Sequence, residues 1–463
     1  MNQLQLFLPC AAGVEDYLAQ EVHDITGLQG EDLRVLRAGV RVRTSWRDVM
    51  RLNLYSRLSQ RVLVQLHFGE YRNEHDLYNA TSQVAWELWF TPKESFKVEI
   101  TAQHSPLQSL NFAALKIKDA IADRFRAKTG IRPDVNTQWP DARIYAHLTT
   151  DQLTIYIDTS GEPLFKRGWR QDKGDAPLKE TLAAAMIAAS GWADTFYEQA
   201  QGIDAATPNY APLYDPCCGS GTIAIEAAQI ACNIAPGSLR RFAFEKYLPF
   251  QAHVWNAIKD EAAKAVLTPQ ERKNIQIFGS DVSFRMVDFA NRNAERAGVS
   301  DVLKFRGGDA LQRTPPCTLT QQNGIMLVNP PYGDRIGISG VAGQNARRNG
   351  MRESGVYTPQ HASSQHNFEF DSAEPIPRFG QRDIAQSNDT GLEGSEFFPQ
   401  LATHWKKNYA GWTAFVLTPD MKLPSKMRLK ESRRIPMWNG PIECRLFKFD
   451  MVAGSARNKS ITS

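Results

Sequence analysis

A chain of 463 residues, 42% hydrophobic and 22% charged, has the composition of a globular protein and the length of two or three domains. It has no apolar run near the roughly 20 residues that span a bilayer. Its start, Met1-Asn2-Gln3-Leu4-Gln5-Leu6-Phe7, lacks the basic and apolar segments of a signal peptide, so no membrane role and a cytoplasmic location are expected. The net charge of +4 is unevenly placed: residues 1–175 hold 22 Lys/Arg and 22 Asp/Glu, whereas residues 400–463 hold 12 against 4. A basic C-terminal region suits a polyanionic substrate, or is simply a solvated surface.

The first 44 residues alternate strand, helix and strand (Gln3–Leu8, Gly13–Ile25, Arg34–Arg43), with Val14, Leu18 and Val22 forming an apolar stripe. A strand at Arg61–His67, helices at Asp76–Trp89 and Asn111–Lys128, an extended Ser95–Ala102 and a hairpin of Ile144–Leu148 with Thr154–Ile157 follow. Without a strict βαβ rhythm, residues 45–158 read as an α+β module. Arg34, Arg37, Arg41, Arg43, Arg47, Arg51, Arg57 and Arg61 either line a phosphate-binding face or form a solvated surface.

From residue 160 the rhythm changes. The link Arg167-Gly168-Trp169-Arg170 precedes a helix opened by Ala176-Pro177-Leu178-Lys179-Glu180. Leu213-Tyr214-Asp215-Pro216-Cys217-Cys218-Gly219-Ser220-Gly221-Thr222 then reads as strand, tight Gly-rich loop and helix, the first βα turn of a doubly wound sheet. An insert around 233–246 separates it from a second strand, Ile275–Gly279, ending at Asp281. A third, Val302–Arg306, ends before Asp309, and a fourth, Gly324–Val328, runs into Asn329-Pro330-Pro331-Tyr332. Acids and an Asn thus stand at the carboxyl ends of four strands, where ligands bind in open α/β sheets. Residues 340–390 are too poor in large apolar side chains to order themselves and are expected to be a disordered insertion. A helix Phe397–Tyr409, a strand Thr413–Leu417 and a hairpin around Asn439-Gly440 close the domain, and 453–463 is expected to be a disordered tail.

Six cysteines without a Cys-x-x-Cys pair and nine histidines without a metal-site spacing give no reason to expect a metal.

The Asp-Pro-x-Cys-Gly-Ser-Gly-Thr loop paired with Asn-Pro-Pro-Tyr resembles a class I S-adenosylmethionine methyltransferase acting on an exocyclic amine. Leu115-Lys116-Ile117-Lys118-Asp119-Ala120-Ile121 is similar to the THUMP RNA-binding domain. With the Arg-Gly-Trp-Arg to Ala-Pro-Leu-Lys-Glu string, Ile234-Ala235-Pro236-Gly237 and Phe244-Glu245-Lys246, the chain resembles the RlmL-type large-subunit ribosomal RNA guanine-N2 methyltransferases. That resemblance implies a Rossmann-like methyltransferase domain at 160–463, preceded by a ferredoxin-like segment (1–44) and a THUMP-like RNA-binding domain (45–158). It implies S-adenosylmethionine as cofactor and ribosomal RNA as partner, through the THUMP-like domain and the basic C-terminal region. The fused second methyltransferase of some members is not expected.

Within the resemblance, Pro216, Cys217, Gly219 and Gly221 shape the cofactor loop. Asp215 meets the cofactor's ammonium group, Asp281 the ribose and Asp309 the adenine amine, although Asp281 and Asp309 could equally be helix-cap or turn acids. Asn329 and the Pro330 carbonyl accept the two N–H bonds of the amine, Pro331 stiffens the loop, and Tyr332 stacks on an extruded base. An adenine-N6 methyltransferase and a non-catalytic RNA-binding assembly factor are the competing readings.

Overall fold

The computed structural model describes residues 3–174, 177–194, 210–319, 323–330 and 396–452. The expected insertion at 340–390 and tail at 453–463, together with Pro331 and Tyr332, lie outside them. The described residues divide into two compact units. One holds those up to Gly168 together with Ala235–Lys264, and the other holds Trp169–Ile234 and those from Ala265 onward.

The N-terminal unit is built on a seven-stranded sheet. Its strands are β1 (Leu4–Pro9), β2 (Leu33–Leu36), β3 (Gly39–Thr44), β4 (Leu63–Glu70), β5 (Phe96–Ala102), β6 (Ala142–Leu148) and β7 (Gln152–Asp158), in the order β2-β3-β1-β4-β7-β6-β5. One sheet therefore runs through both the ferredoxin-like segment and the THUMP-like stretch. Leu6, Leu8, Val40, Val42, Val64, Ile144, Leu148, Ile155 and Ile157 are 0–1% exposed and form its apolar face. Helices Glu15–Thr26, Trp46–Tyr55, Glu74–Gln83 and Leu110–Thr129 contribute Leu18, Val22, Val49, Leu77, Ile117 and Phe125 to the same core. Full burial of each such side chain contributes about 1.5–3 kcal/mol.

Two expectations change here. The single strand Arg34–Arg43 is a hairpin, broken at Arg37-Ala38, where Ala38 takes a left-handed φ of 61°. The helix Asp76–Trp89 stops at Gln83, because Val84 turns extended, and only a short 3₁₀ turn, Trp86–Leu88, follows.

Ala235–Lys264, the insert after the first strand–helix pair of the second unit, folds with the N-terminal one. Gly237 donates to the Leu54 carbonyl at 2.9 Å, Leu248 to Trp89 at 2.8 Å, and Tyr247 Oη to Asp158 at 2.7 Å. The Phe244 ring meets Trp46 edge-on at 6.5 Å.

The second unit is a doubly wound sheet. Its strands are β8 (Leu213–Asp215), β9 (Ile277–Asp281), β10 (Leu303–Gly307), β11 (Gly324–Val328), β12 (Trp412–Thr418), β13 (Arg433–Asn439) and β14 (Ile442–Asp450), in the order β10-β9-β8-β11-β12-β14-β13. The first five are parallel, and β14 runs antiparallel between β12 and β13. Every residue of β11 is buried, as the unbroken apolar run requires of a central strand. The terminal hairpin pairs Asn439 with Ile442, so Gly440-Pro441 forms its turn. Strand order reverses between β8 and β11, and the crevice at their carboxyl ends is the natural ligand site. No helix among the described residues is long and apolar enough to cross a membrane.

Candidate active site of the doubly wound unit

The loop after β8 is held from three sides. Gly221 sits at φ 88°, and a Cβ there would come within 3.0 Å of Ala290 and Phe305, so no other residue fits without displacing both. Gly219 differs: its φ is 51°, yet nothing lies within 4 Å of where a Cβ would be. Its open side faces free space, which is what close approach of a ligand to the backbone requires.

Three acids surround this loop. Asp215 is 2% exposed and accepts from the Cys217 N–H at 3.0 Å. Burial pushes its carboxyl up to about 8; the Cys217 bond opposes the shift and the Asp281 charge adds to it. Asp281 bridges the loop and its own strand end, accepting from Gly219 N–H (3.0 Å) and Ser283 N–H (2.8 Å). Its carboxyl is also raised by burial, against those two bonds. Asp309 accepts from Leu311 N–H at 2.9 Å. Asp281 and Asp309 are thus both turn acids, and each carboxylate still has lone pairs beyond its backbone bonds. The thiols of Cys217 and Cys218 lie well above their ordinary range through burial and the nearby Asp215 and Asp281 charges, so they are neutral. Pro216 is buried and its carbonyl accepts from Ser280 Oγ at 3.4 Å. Asp215 and Asp281, crowded at the end of the sheet and both pushed toward protonation, suit a ligand carrying positive charge.

On the other side of the switch point, Asn329 and Pro330 follow β11 directly. The Asn329 side-chain oxygen is buried and has no hydrogen-bond partner among the described residues. Leaving such an acceptor unpaired costs about 1–3 kcal/mol, a cost that an N–H donor on a ligand would remove.

The third side of the loop was not singled out as functional from the sequence. Arg170 donates from Nε to Glu180 (2.7 Å), from Nη1 to Ser220 Oγ (2.9 Å), and from Nη2 to Thr222 Oγ1 (2.7 Å) and the Leu178 carbonyl (3.3 Å). Asn293, fully buried, donates to the Ser220 and Asp172 carbonyls at 3.2 and 2.9 Å. The signal was present in the Arg-Gly-Trp-Arg to Ala-Pro-Leu-Lys-Glu string, whose Arg170 and Glu180 form this buried pair. Among the described residues, no group of three His, Cys, Asp or Glu is placed to hold a metal ion.

Residues 5–63 match the RlmL ferredoxin-like domain, 71–158 the THUMP domain, and 167–345 the RMKL-like methyltransferase domain. Ribosomal RNA large subunit methyltransferase K/L of Shewanella amazonensis is 34% identical over 97% of this chain, and that of Psychromonas ingrahamii 33% over 95%. The chain spans about half the length of these curated relatives, 54% and 49% respectively. Among solved structures, a provisionally assigned methyltransferase complexed with SAH is 25% identical, with a TM-score of 0.72 over 98% of this chain and 100% of that one. An N6-adenine-specific DNA methylase of Listeria monocytogenes, assigned by prediction, is also 25% identical, with a TM-score of 0.71 over 97% of this chain and 96% of that one. The chain thus carries, in order, an RlmL ferredoxin-like domain, a THUMP domain and an RMKL-like methyltransferase domain, the last with the class I strand order described above.

Proposed function

We propose that this chain methylates the exocyclic N2 amine of a guanine in large-subunit ribosomal RNA, with S-adenosylmethionine as methyl donor. The cofactor, when bound, supplies an electrophilic methyl group on a sulfonium. The acid-rich crevice supports a cationic cofactor of this kind, and the similar structure complexed with SAH supports its identity. Asp215 would pair with its ammonium group, Asp281 with its ribose hydroxyls and Asp309 with its adenine amine. Gly219, open on its ligand side, would let the methionine portion pass close to the backbone. Pro216, Cys217 and Gly221 would set the loop's shape rather than touch the reacting atoms.

The observation that carries the reading is the buried side-chain oxygen of Asn329, which has no hydrogen-bond partner among the described residues. An exocyclic amine conjugated to a base is a poor nucleophile. The Asn329 oxygen and the Pro330 carbonyl would accept its two N–H bonds and turn its lone pair toward the methyl group. Pro331 would stiffen the loop and Tyr332 would offer a stacking face. The choice of RNA rests on the THUMP domain, and the choice of large-subunit RNA on the names of the relatives. The same loop would serve an adenine N6 amine, so the product decides the base.

Incubation with labelled cofactor and large-subunit RNA, followed by nucleoside mass spectrometry, is expected to yield N2-methylguanosine. N6-methyladenosine, or label in DNA alone, would overturn the assignment. Asn329→Ala should lower turnover by about 10²–10³, the cost of losing one preorganised polar group, while RNA affinity stays near wild type.

A further inference from the structure

We propose that the sheet face of the N-terminal unit opposite its apolar core, centred on Arg34, Arg41, Phe7 and Tyr156, binds a single-stranded RNA segment. The identity of the ligand rests on the functional reading above; the surface itself rests on register and charge. In the ladder, Arg34 pairs with Arg41 across β2 and β3, and Arg41 pairs with Phe7 across β3 and β1. These three side chains therefore stand in one row on one face. The neighbouring row brings Arg43 opposite Gln5 and Gln65 opposite Tyr156.

Two features of this row are unfavourable in the free protein. Like charges directly opposite in an antiparallel pair are destabilising. Arg34 and Arg41 nonetheless face each other, and neither makes an ion pair among the described residues; only Arg43 has an acid, Asp32, at 2.6 Å. Beside them the Phe7 and Tyr156 rings lie 6.1 Å apart at 38°, and Phe68, on the same face opposite Thr154, is 61% exposed. Phe7 rests over Gly39, where a Cβ would come within 2.7 Å of Cζ, so its ring lies against the sheet. Burial pushes the Tyr156 hydroxyl up to about 12, opposed by its hydrogen bond with Thr154 and by the positive charge of Arg41.

A phosphate between Arg34 and Arg41 would convert their repulsion into two charge-assisted contacts. Bases of the same strand would stack on the adjacent rings, the mode by which sheet surfaces take unpaired RNA. Five of the eight arginines of residues 34–61 are thereby sorted, Arg34, Arg41 and Arg43 standing on this face. Arg61 is no part of such a face: its side chain is only 13% exposed, bonded to Asp158 and the Gly161 carbonyl, and lies over the Tyr145 ring. Arg51 pairs with Asp48 on its own helix.

The test is fluorescence anisotropy of the full chain with a labelled single-stranded RNA oligomer across a salt series. Arg34→Gln/Arg41→Gln should weaken binding at least tenfold. It should also flatten the logarithmic salt slope by about 1.4, two lost phosphate contacts on a single strand. Its thermal midpoint should hold or rise, since a like-charge pair is removed. Phe7→Leu keeps apolar volume but loses the stacking surface, and should cost about 5- to 100-fold in affinity. Wild-type affinity and slope in the double variant would overturn the proposal. So would a loss confined to Phe7→Leu with an unchanged salt slope, which points to an apolar protein partner. Methyl transfer on the same RNA separates the two readings. Transfer with an unaltered double variant removes the surface alone, whereas salt-dependent binding lost in that variant without any transfer keeps the surface and removes the activity.

Discussion

Asp215 holds a proton at neutral pH in the free protein because its carboxyl is buried beside Asp281 and has one backbone donor among the described residues, Cys217 N–H, to offset the loss of water. In the unfolded chain the same carboxyl loses its proton above about pH 4. Between about pH 4 and 8 the folded state therefore binds more protons than the unfolded one, and Asp215 makes stability fall as pH rises through that window. Asp215→Asn removes the titration. Thermal midpoints of wild type and variant between about pH 5 and 8 should converge at the acid end and diverge in the variant's favour toward pH 8. Parallel curves would show that Asp215 does not titrate there. At Asp281 the expectation concerns affinity. Replacement by Ala removes the acceptor of Gly219 N–H and, on the proposed reading, that of the ribose hydroxyls, and should weaken S-adenosylmethionine binding by about 1.5–3 kcal/mol in calorimetry. Unchanged affinity removes Asp281 from the site.

At the scale of elements, the Gly-rich loop is rigid because Arg170 and Asn293 hold it from outside the ligand side. Arg170 is an 11% exposed guanidinium against a 4% exposed Glu180 carboxylate, so neither charge is compensated by water. Arg170→Ala leaves Glu180 buried without this partner and should cost about 3–5 kcal/mol, seen as a lower midpoint in denaturant. Arg170→Lys keeps the charge but cannot reach Glu180, Ser220 and Thr222 together. It is expected to recover part of the stability while KM for the cofactor stays raised more than kcat is lowered. Equal recovery of both would reduce Arg170 to a packing role.

At the scale of the whole molecule, the insert Ala235–Lys264 makes the chain pass from unit to unit at three points among the described residues rather than one. Phe242, Phe244 and Trp255 are 0–4% exposed in the intact N-terminal unit, where Phe244 meets both Trp46 and Trp255. Deleting residues 1–158 alone should strand these aromatics in water and yield insoluble protein. The ends of the insert are close: Leu267 N–H donates to the Cys232 carbonyl at 3.1 Å, and Asn233 Nδ2 to Ala265 at 3.0 Å. Deleting residues 1–168 while joining Ile234 to Ala265 through a short Gly/Ser linker should therefore restore a soluble second unit that binds S-adenosylmethionine by calorimetry. If the simple deletion is equally soluble, the insert does not depend on its partner.

What the sequence determined by itself was whatever is encoded locally. The 2-residue and 3.6-residue periods, the Gly-Ser-Gly turn and the acids closing successive apolar runs were enough for the doubly wound sheet and for Asp215, Asp281, Asp309 and Asn329 as its strand-end residues. Tertiary structure decided everything that depends on distant partners. No local pattern distinguishes Arg61, neutralised by Asp158 97 positions further along the chain, from Arg41, which has a like charge opposite it. Nor does any local pattern assign Ala235–Lys264 to the N-terminal core, since an amphipathic helix shows that it has an apolar face but not what covers it. The Arg170 network was written in the sequence as a string, yet its meaning came only when folding brought Ser220 and Thr222 within 3 Å of one guanidinium. Burial, which sets charge pairing and carboxyl protonation alike, is a property of the packed chain and not of its segments.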